Sequence, residues 1–389
     1  MFRVSVRRFL SSAALIALAA APAAGIEVSN LADAGAGSLR QAVLDANANP
    51  GPDLITFQPL LTGTIDLTTG EIAITDSVDI QGPGARRLAV DSTARIFNCS
   101  GPNSVSVLIS GLTLTGGQAA GNGGAIANSG ANVTLREVTV SGNNATGEGG
   151  AIFHNANGGV LTIDSSTISG NTAGKAGAIY SIGFNLVIIN STISDNQVTD
   201  SVGAIKLEFA FASIFNSTIS GNSAAFSQGG ILAGTGNNQL DLVSTIVSDN
   251  SDVLGASDLA RFAGTINASN SLVEQGLVAG VINGTDSGNL IGVDPLLGPL
   301  AFNGGATDTH ALAAISPAIN QGDNPLALVY DQRGPGFPRD FSGGVDIGAV
   351  ERGSGEEIPT LSPFGVAGFA LLLLAIGLIA LRRRLSASS

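Results

Sequence analysis

Two histidines and one cysteine are the strongest ligand-type side chains in this sequence, and carboxylates and amines are thinly spread around them. His154 and His310 stand in different segments, with no cysteine or second histidine at ligand spacing, so a zinc site is not expected. His154 follows Gly149-Gly150-Ala151-Ile152-Phe153 and reads as an outward-facing residue. A Ser-His-Asp triad stays open from sequence, but no Gly-x-Ser-x-Gly elbow is present. Cys99 has no partner for a disulfide and reads as a small buried hydrophobe. Enzymes that cut polysaccharides need paired carboxylates, or Ca²⁺ with a basic residue beside it. Asp164 and Lys206 could line a groove, yet no carboxylate pair recurs along one strand. Asp195 and Asp249 fall where Gly142, Gly170 and Gly221 stand in other repeats, which makes them turn residues first. No catalytic and no cofactor-binding residue is assigned; a metal is left open, with Ca²⁺ the candidate.

The element that positions these side chains is a repeat between Gly111 and Asn250. Gly-Gly-Ala-Ile or Gly-Ala-Ile returns with its second glycine read at 124, 150, 177, 203 and 230, in steps of 26 or 27 residues. Ser166-Thr167-Ile168-Ser169-Gly170-Asn171 and its relatives keep the same beat, ending on Asn143, Asn171, Asn196, Asn222 and Asn250. A third apolar run lies between them, as in Val133-Thr134-Leu135 and Leu161-Thr162-Ile163. Three short β-type runs divided by Gly, Asn and Ser predict three strands per coil and a triangular tube. One coil cannot bury its own apolar face, whereas stacked coils can, so the expected fold is an all-β, right-handed parallel β-helix. The asparagines are expected to stack as a buried ladder, and the glycine pairs to take positive φ.

These motifs resemble the repeats of bacterial right-handed β-helix surface proteins. They are also similar to polymorphic outer-membrane proteins, which combine Gly-Gly-Ala-Ile with a Phe-x-x-Asn repeat; here Ile or Val replaces the Phe.

Residues 1–24 read as a secretory signal: Arg3, Arg7 and Arg8, an apolar centre from Phe9 to Ala20, then Ala21-Pro22-Ala23. Residues 26–60 read as an N-terminal cap, with Ser38 and Gln41 as a capping box and Leu39, Ala42, Val43 and Ala46 on one helical face. Asp33 to Ala42 resembles the N-terminal segment of many exported bacterial β-helix proteins, and Arg40 within it reads as a solvated or paired residue. Repeats are expected over 61–296. Residues 297–352 change character, with Asp331-Gln332-Arg333-Gly334, Arg339-Asp340 and Asp346-Ile347-Gly348-Ala349-Val350-Glu351. That segment resembles the choice-of-anchor Q domain. Its charges are candidates for Ca²⁺ or a ligand, but the favoured reading is a salt-bridged cap closing the last coil.

A linker over 353–363 carries Ile358-Pro359-Thr360-Leu361. The apolar run 364–381 is long enough to cross a membrane, and Arg382, Arg383 and Arg384 begin a cytoplasmic tail over 382–389. The arrangement resembles the IPTL-type sorting signal of Gram-negative bacteria, which implies an exosortase-like processing enzyme and the cell envelope as partners.

All 30 acidic residues and only 11 of the 17 basic ones lie between Ile26 and Glu357, so that body carries a net charge of −19. A nucleic-acid partner is not expected, since phosphate contact needs a basic face, and polyanionic glycans would be repelled unless a cation bridged them. The resulting expectation is an exported, non-catalytic surface protein, adhesin-like or a coat component, with surface glycans as candidate ligands. The alternative is a polysaccharide lyase or glycoside hydrolase on the same fold.

Overall fold

The computed structural model describes residues 25–155, 158–183, 185–275, 280–341 and 343–353. The signal-like segment 1–24, the motif Ile358 to Leu361, the apolar run 364–381 and the arginine tail lie outside the described residues. No helix among the described residues is long and apolar enough to cross a membrane.

The described residues wind into a parallel β-solenoid of about nine turns with one short helix among them. Each regular coil contributes to four sheets. Sheet 1 has 8 strands and contains Ile126–Ser129; sheet 2 has 11 and contains Asn132–Arg136; sheet 3 has 10 and contains Thr139–Ser141; sheet 4 has 7 and contains Asn144–Glu148. Similar residue types meet coil on coil. Ile126 pairs with Ile152, which pairs with Ile179. Val140, Ile168 and Ile193 do the same on sheet 3. These inward rows are fully buried and form one continuous core, to which each such side chain contributes about 1.5–3 kcal/mol.

The fourth sheet corrects the three-strand expectation. Its strands, such as Asn144–Glu148 and Thr172–Lys175, are rich in Gly, Thr and Asn and bury one small residue each. Ala119, Ala145, Ala173, Val198 and Ala224 make a cluster separate from the main core. Weak strand formers pair here because the neighbouring coils already hold the backbone in register.

Between sheets the coil turns on a single left-handed residue. Ser165, Asn190 and Asn216 turn sheet 2 into sheet 3; Gly142, Gly170, Asp195, Gly221 and Asp249 turn sheet 3 into sheet 4. Asp195 and Asp249 are therefore turn residues, at φ 57° and 56°. At the last corner only the first residue of each glycine pair has positive φ: Gly123 and Gly149, then Ala176, Val202 and Gln228. The following glycine is needed for a different reason. A Cβ on Gly177 would lie 2.5 Å from the carbonyl oxygen of Gly203 in the next coil, and Gly124, Gly150 and Gly203 meet the same obstruction. Register also places Ile205 on Ile231, so Gly229, not Gly230, continues this row.

The asparagine ladder is present and fully buried. Asn143 Nδ2 donates to Asn171 Oδ1 at 2.9 Å, and Asn171, Asn196 and Asn222 each donate to the next rung at 2.8 Å. The last amide, Asn250, donates to Asp258 Oδ1 at 2.9 Å, while Gln275 N donates to Oδ2 at 2.6 Å. A carboxylate ends the ladder because it only accepts; burial nonetheless pushes its pKa up to about 7.

One helix, α1 (Leu39–Ala48), starts at the N-cap Ser38, whose Oγ accepts from Gln41 N at 3.1 Å. Its buried face of Leu39, Ala42, Val43 and Ala46 joins the core over the first strands. Around it, residues 26–60 also supply Ile26–Val28 and Asp53–Phe57 to the first rungs of sheet 2. Arg40 pairs with Asp33 at 2.7 Å and donates to the carbonyls of Gly70 and Glu71, tying the helix to the first coil. Burial opposes charge on Asp33, but hydrogen bonds from Arg40, Thr69 and Thr68 outweigh it and hold the carboxyl below its usual range.

Residues 297–352 run along the outer face of sheet 3. Ser-Thr-Ile-Ser strands present hydroxyls there in two rows, and the segment docks on them. Thr167 Oγ1 donates to the Asp308 carbonyl at 2.6 Å, Thr192 Oγ1 to Gln332 Oε1 at 2.6 Å, and Ala349 N donates to Thr218 Oγ1 at 3.1 Å. Farther along, Ile246 and Leu272 replace Thr in the outer row and bury against Leu312, Ala318 and Ile347. The expected salt bridges exist, but the contacts are to the flank of the stack.

Candidate functional site

Asp164 and Lys206, the two charges that sequence reading placed beside a groove, lie on different sheets. Asp164 is on the outer face of sheet 2 and accepts from Arg136 in the neighbouring coil at 3.0 Å. Lys206 is on sheet 1 and pairs with Glu208 at 3.0 Å.

His154 corrects its expected orientation. It is fully buried and faces inward in register with Asn128 and Ser181. Asn128 Nδ2 donates to the Ala131 carbonyl and to His154 Nδ1, at 2.8 and 3.1 Å. Burial pushes the imidazole down to about 4, so it is neutral at pH 7. Cys99 lies in the same inward row, and burial pushes its thiol up to about 12.

The triad question has a geometric answer. Ser194 Oγ and His310 Nε2 are 2.8 Å apart, and His310 Nδ1 is 2.7 Å from the Gly298 carbonyl. A carbonyl only accepts, so Nδ1 carries a proton; in the neutral imidazole Nε2 is then the acceptor for the Ser194 hydroxyl. Ser194 is fully buried beneath the flanking segment, and the third partner is a backbone carbonyl where a hydrolase triad has a carboxylate. The pair fastens segment to coil.

The charged motifs of the flanking segment converge around Arg339, which is fully buried. Its guanidinium donates to Glu351 Oε1 at 3.2 Å, to the carbonyls of Gly348 and Ala349, and to Asn190 Oδ1 on the solenoid. Arg333 pairs with Asp331 at 2.5 Å, and Glu351 also accepts from Asp346 N. Burial pushes the Glu351 carboxyl up from its usual range, while Arg339 acts in the opposite sense. Carboxylates here face guanidinium groups and backbone N–H groups, and among the described residues no group of three or more His, Cys, Asp or Glu is arranged to hold a metal ion.

The outer face of sheet 1 carries an aromatic pair and an ion pair from adjacent coils. Phe153 and Tyr180, in adjacent coils, stack with centroids 5.7 Å apart and planes 4° from parallel. Lys206 Nζ lies 5.2 Å from the centre of the Tyr180 ring, and Tyr180 donates to Glu208 Oε2 at 2.6 Å. Burial and the Glu208 hydrogen bond raise the phenol above its usual range. Burial opposes charge on Glu208, but bonds from Tyr180 and Lys206 outweigh it and hold the carboxyl below its usual range. Tyr180 is 4 % exposed, so this stack is closed along its middle and open at the Phe153 end. Nothing in the sequence pattern marks it, because its members are the outward residues that vary from coil to coil.

No protein-family model matches the chain, and no curated protein matches it either.

Proposed function

We propose that the chain is an exported, surface-displayed, right-handed β-helix that acts without catalysis, as an adhesin-like or coat component. The observation that carries this reading is how its outward charges are used. Arg136 with Asp164, Lys175 with Glu148, and Arg95 with Glu71 each link neighbouring coils, and Lys206 with Glu208 closes over Tyr180. Groups engaged this way brace the stack; they do not converge on a substrate. The choice-of-anchor Q and IPTL-type resemblances support a precursor held in the inner membrane by residues 364–381, with an exosortase-like enzyme acting near Ile358, Pro359, Thr360 and Leu361. The mature protein then stands at the cell surface or outside the cell.

Two experiments test this. Gene deletion should alter adhesion or matrix, and an unchanged phenotype across surfaces and glycans counts against the adhesive role. Mass spectrometry should find a mature C terminus near 358–361; an intact chain ending at Ser389 rejects processing. Reducing-sugar release or unsaturated products from a glycan panel would favour the lyase or hydrolase reading.

A further inference from the structure

We propose that the later coils of the solenoid dock on a lipid bilayer through apolar side chains that border sheet 1. The inference rests on the membrane-held precursor described above and names what its body touches. Among the described residues from 61 to 208, no large apolar side chain is exposed. Phe209, Phe211, Phe226, Val253, Leu254 and Phe262 are then all exposed.

Three of them lie where the chain leaves sheet 1. The left-handed residue at that corner is Gly130, Gly158, Gly183, Gly236 and Gly264 in five coils, and Phe209, at φ 53°, in another. A bulky side chain is strained in that conformation, whereas glycine is not. The Phe209 ring lies against Gly236 of the next coil, where an added Cβ would come within 2.3 Å of Cδ1, yet the residue is still 57 % exposed. Strain kept at an exposed aromatic residue, where glycine serves the neighbouring coils, argues for a use outside the fold. Phe211 opens the next strand of sheet 2. Phe262 N donates to the Ala233 carbonyl at 2.8 Å, as Gly234 N does to that of Leu207 at 2.9 Å, so Phe262 falls at the register of Glu208 on the outer face of sheet 1.

The other three lie where the chain enters sheet 1. A hairpin interrupts the coil there, Ser251–Asp252 pairing antiparallel with Gly255–Ala256, and its tip is Val253 and Leu254. Leu254 is 91 % exposed. Ser251 pairs with Ser223, and Leu254 and Phe226 each come three residues later, so they flank the same corner in adjacent coils.

This spacing selects the partner. The apolar side chains stand on two borders of sheet 1, and the Lys206–Glu208 ion pair lies on the face between them. Separate anchors beside charged groups suit a fluid medium that closes around each one; a folded protein partner would call for one continuous apolar patch. The chain also keeps a bilayer within reach. The apolar run begins at Phe364, and the residues between Gly353 and Phe364 span at most about 40 Å.

The chain contains no tryptophan, so Leu254→Trp introduces a single fluorescent probe at the hairpin tip. The full chain carrying it is reconstituted into phosphatidylcholine vesicles with plain or dibrominated acyl chains. Thr134→Trp, on the outer face of sheet 2, is the control. Neutral lipid is used because a body at net −19 is repelled by an anionic surface. Brominated chains should quench the Leu254→Trp emission about twofold and leave the Thr134→Trp emission unchanged. Adding Phe209→Ser and Phe262→Ser should relieve the quenching. All these side chains are exposed or outward, so circular dichroism should match wild type, and Val253→Trp replaces the first probe if it does not. Equal quenching of both probes, a blue shift of the Leu254→Trp emission without quenching, as contact with a second copy would give, or no response to bromine overturns the proposal. A chain that resists carbonate extraction from the vesicles without quenching keeps the membrane anchor and rejects this surface; a chain that does not float with the vesicles rejects both.

Discussion

Ser194 Oγ lies 2.8 Å from His310 Nε2, joining a regular coil to a residue 116 positions farther along the chain. Serine and histidine at this distance resemble a nucleophile and its base. Here the serine hydroxyl is sealed between sheet 3 and the segment it holds. Ser194→Ala would leave Nε2 buried without its hydrogen-bond partner. The variant should unfold about 1–3 kcal/mol more easily in urea while retaining whatever adhesion the wild type has. Lost adhesion with wild-type stability would reveal a functional serine instead.

The ladder makes a stronger demand. Asn196 accepts from Asn171 and donates to Asn222 and to the carbonyls of Ile168 and Ser194. Asn196→Ala removes all of these in a buried site and should cost on the order of 3–5 kcal/mol by chemical denaturation. Asn196→Asp should be no better, because an ionised carboxylate cannot donate to Asn222. A small loss in either variant would mean that water replaces the rung.

Two glycines separate close approach from backbone conformation. Gly177 meets the Gly203 carbonyl, so Gly177→Ala should destabilise on the order of 3 kcal/mol through overpacking. Gly170 has φ +63° and open space around it, so Gly170→Ala should cost only about 1–2 kcal/mol of conformational strain. Thermal melts of the pair would show whether this order holds.

His154 predicts a pH dependence. Its folded pKa of about 4 lies below the usual 6.5, so the unfolded chain binds more protons between those values. The stability it confers is therefore complete above pH 6.5 and is lost as pH falls toward 4, by roughly 3 kcal/mol. His154→Gln should lack that component, so the difference between the two unfolding curves should change with pH over this window. Parallel curves would show that His154 does not titrate with unfolding.

Much of the architecture was legible because stacking makes physics periodic. Ile126, Ile152 and Ile179 share one environment, so selection for that environment repeats in the sequence, as it does for Asn143 through Asn250. The fourth sheet was not legible, since Asn144–Glu148 has the composition of a turn and only coil-to-coil register makes it a strand. His154 misled because it follows Ile152 and Phe153 by alternation: Phe153 faces out, and His154 therefore faces in beside Asn128. The docking role of the Thr and Ser rows was invisible for a different reason. Those hydroxyls are explained by residues more than 100 positions away, such as Asp308, Gln332 and Ala349.

A stack whose rungs touch only their neighbours would fray from either end, one coil at a time. Residues 297–352 run lengthwise instead, gripping rungs from Thr167 through Thr192 and Thr218 to Leu272. Opening any one of these coils must also release a tether shared with several others. The segment thus works as a spine: it converts a one-dimensional array into a body that should come apart in a single concerted step under load.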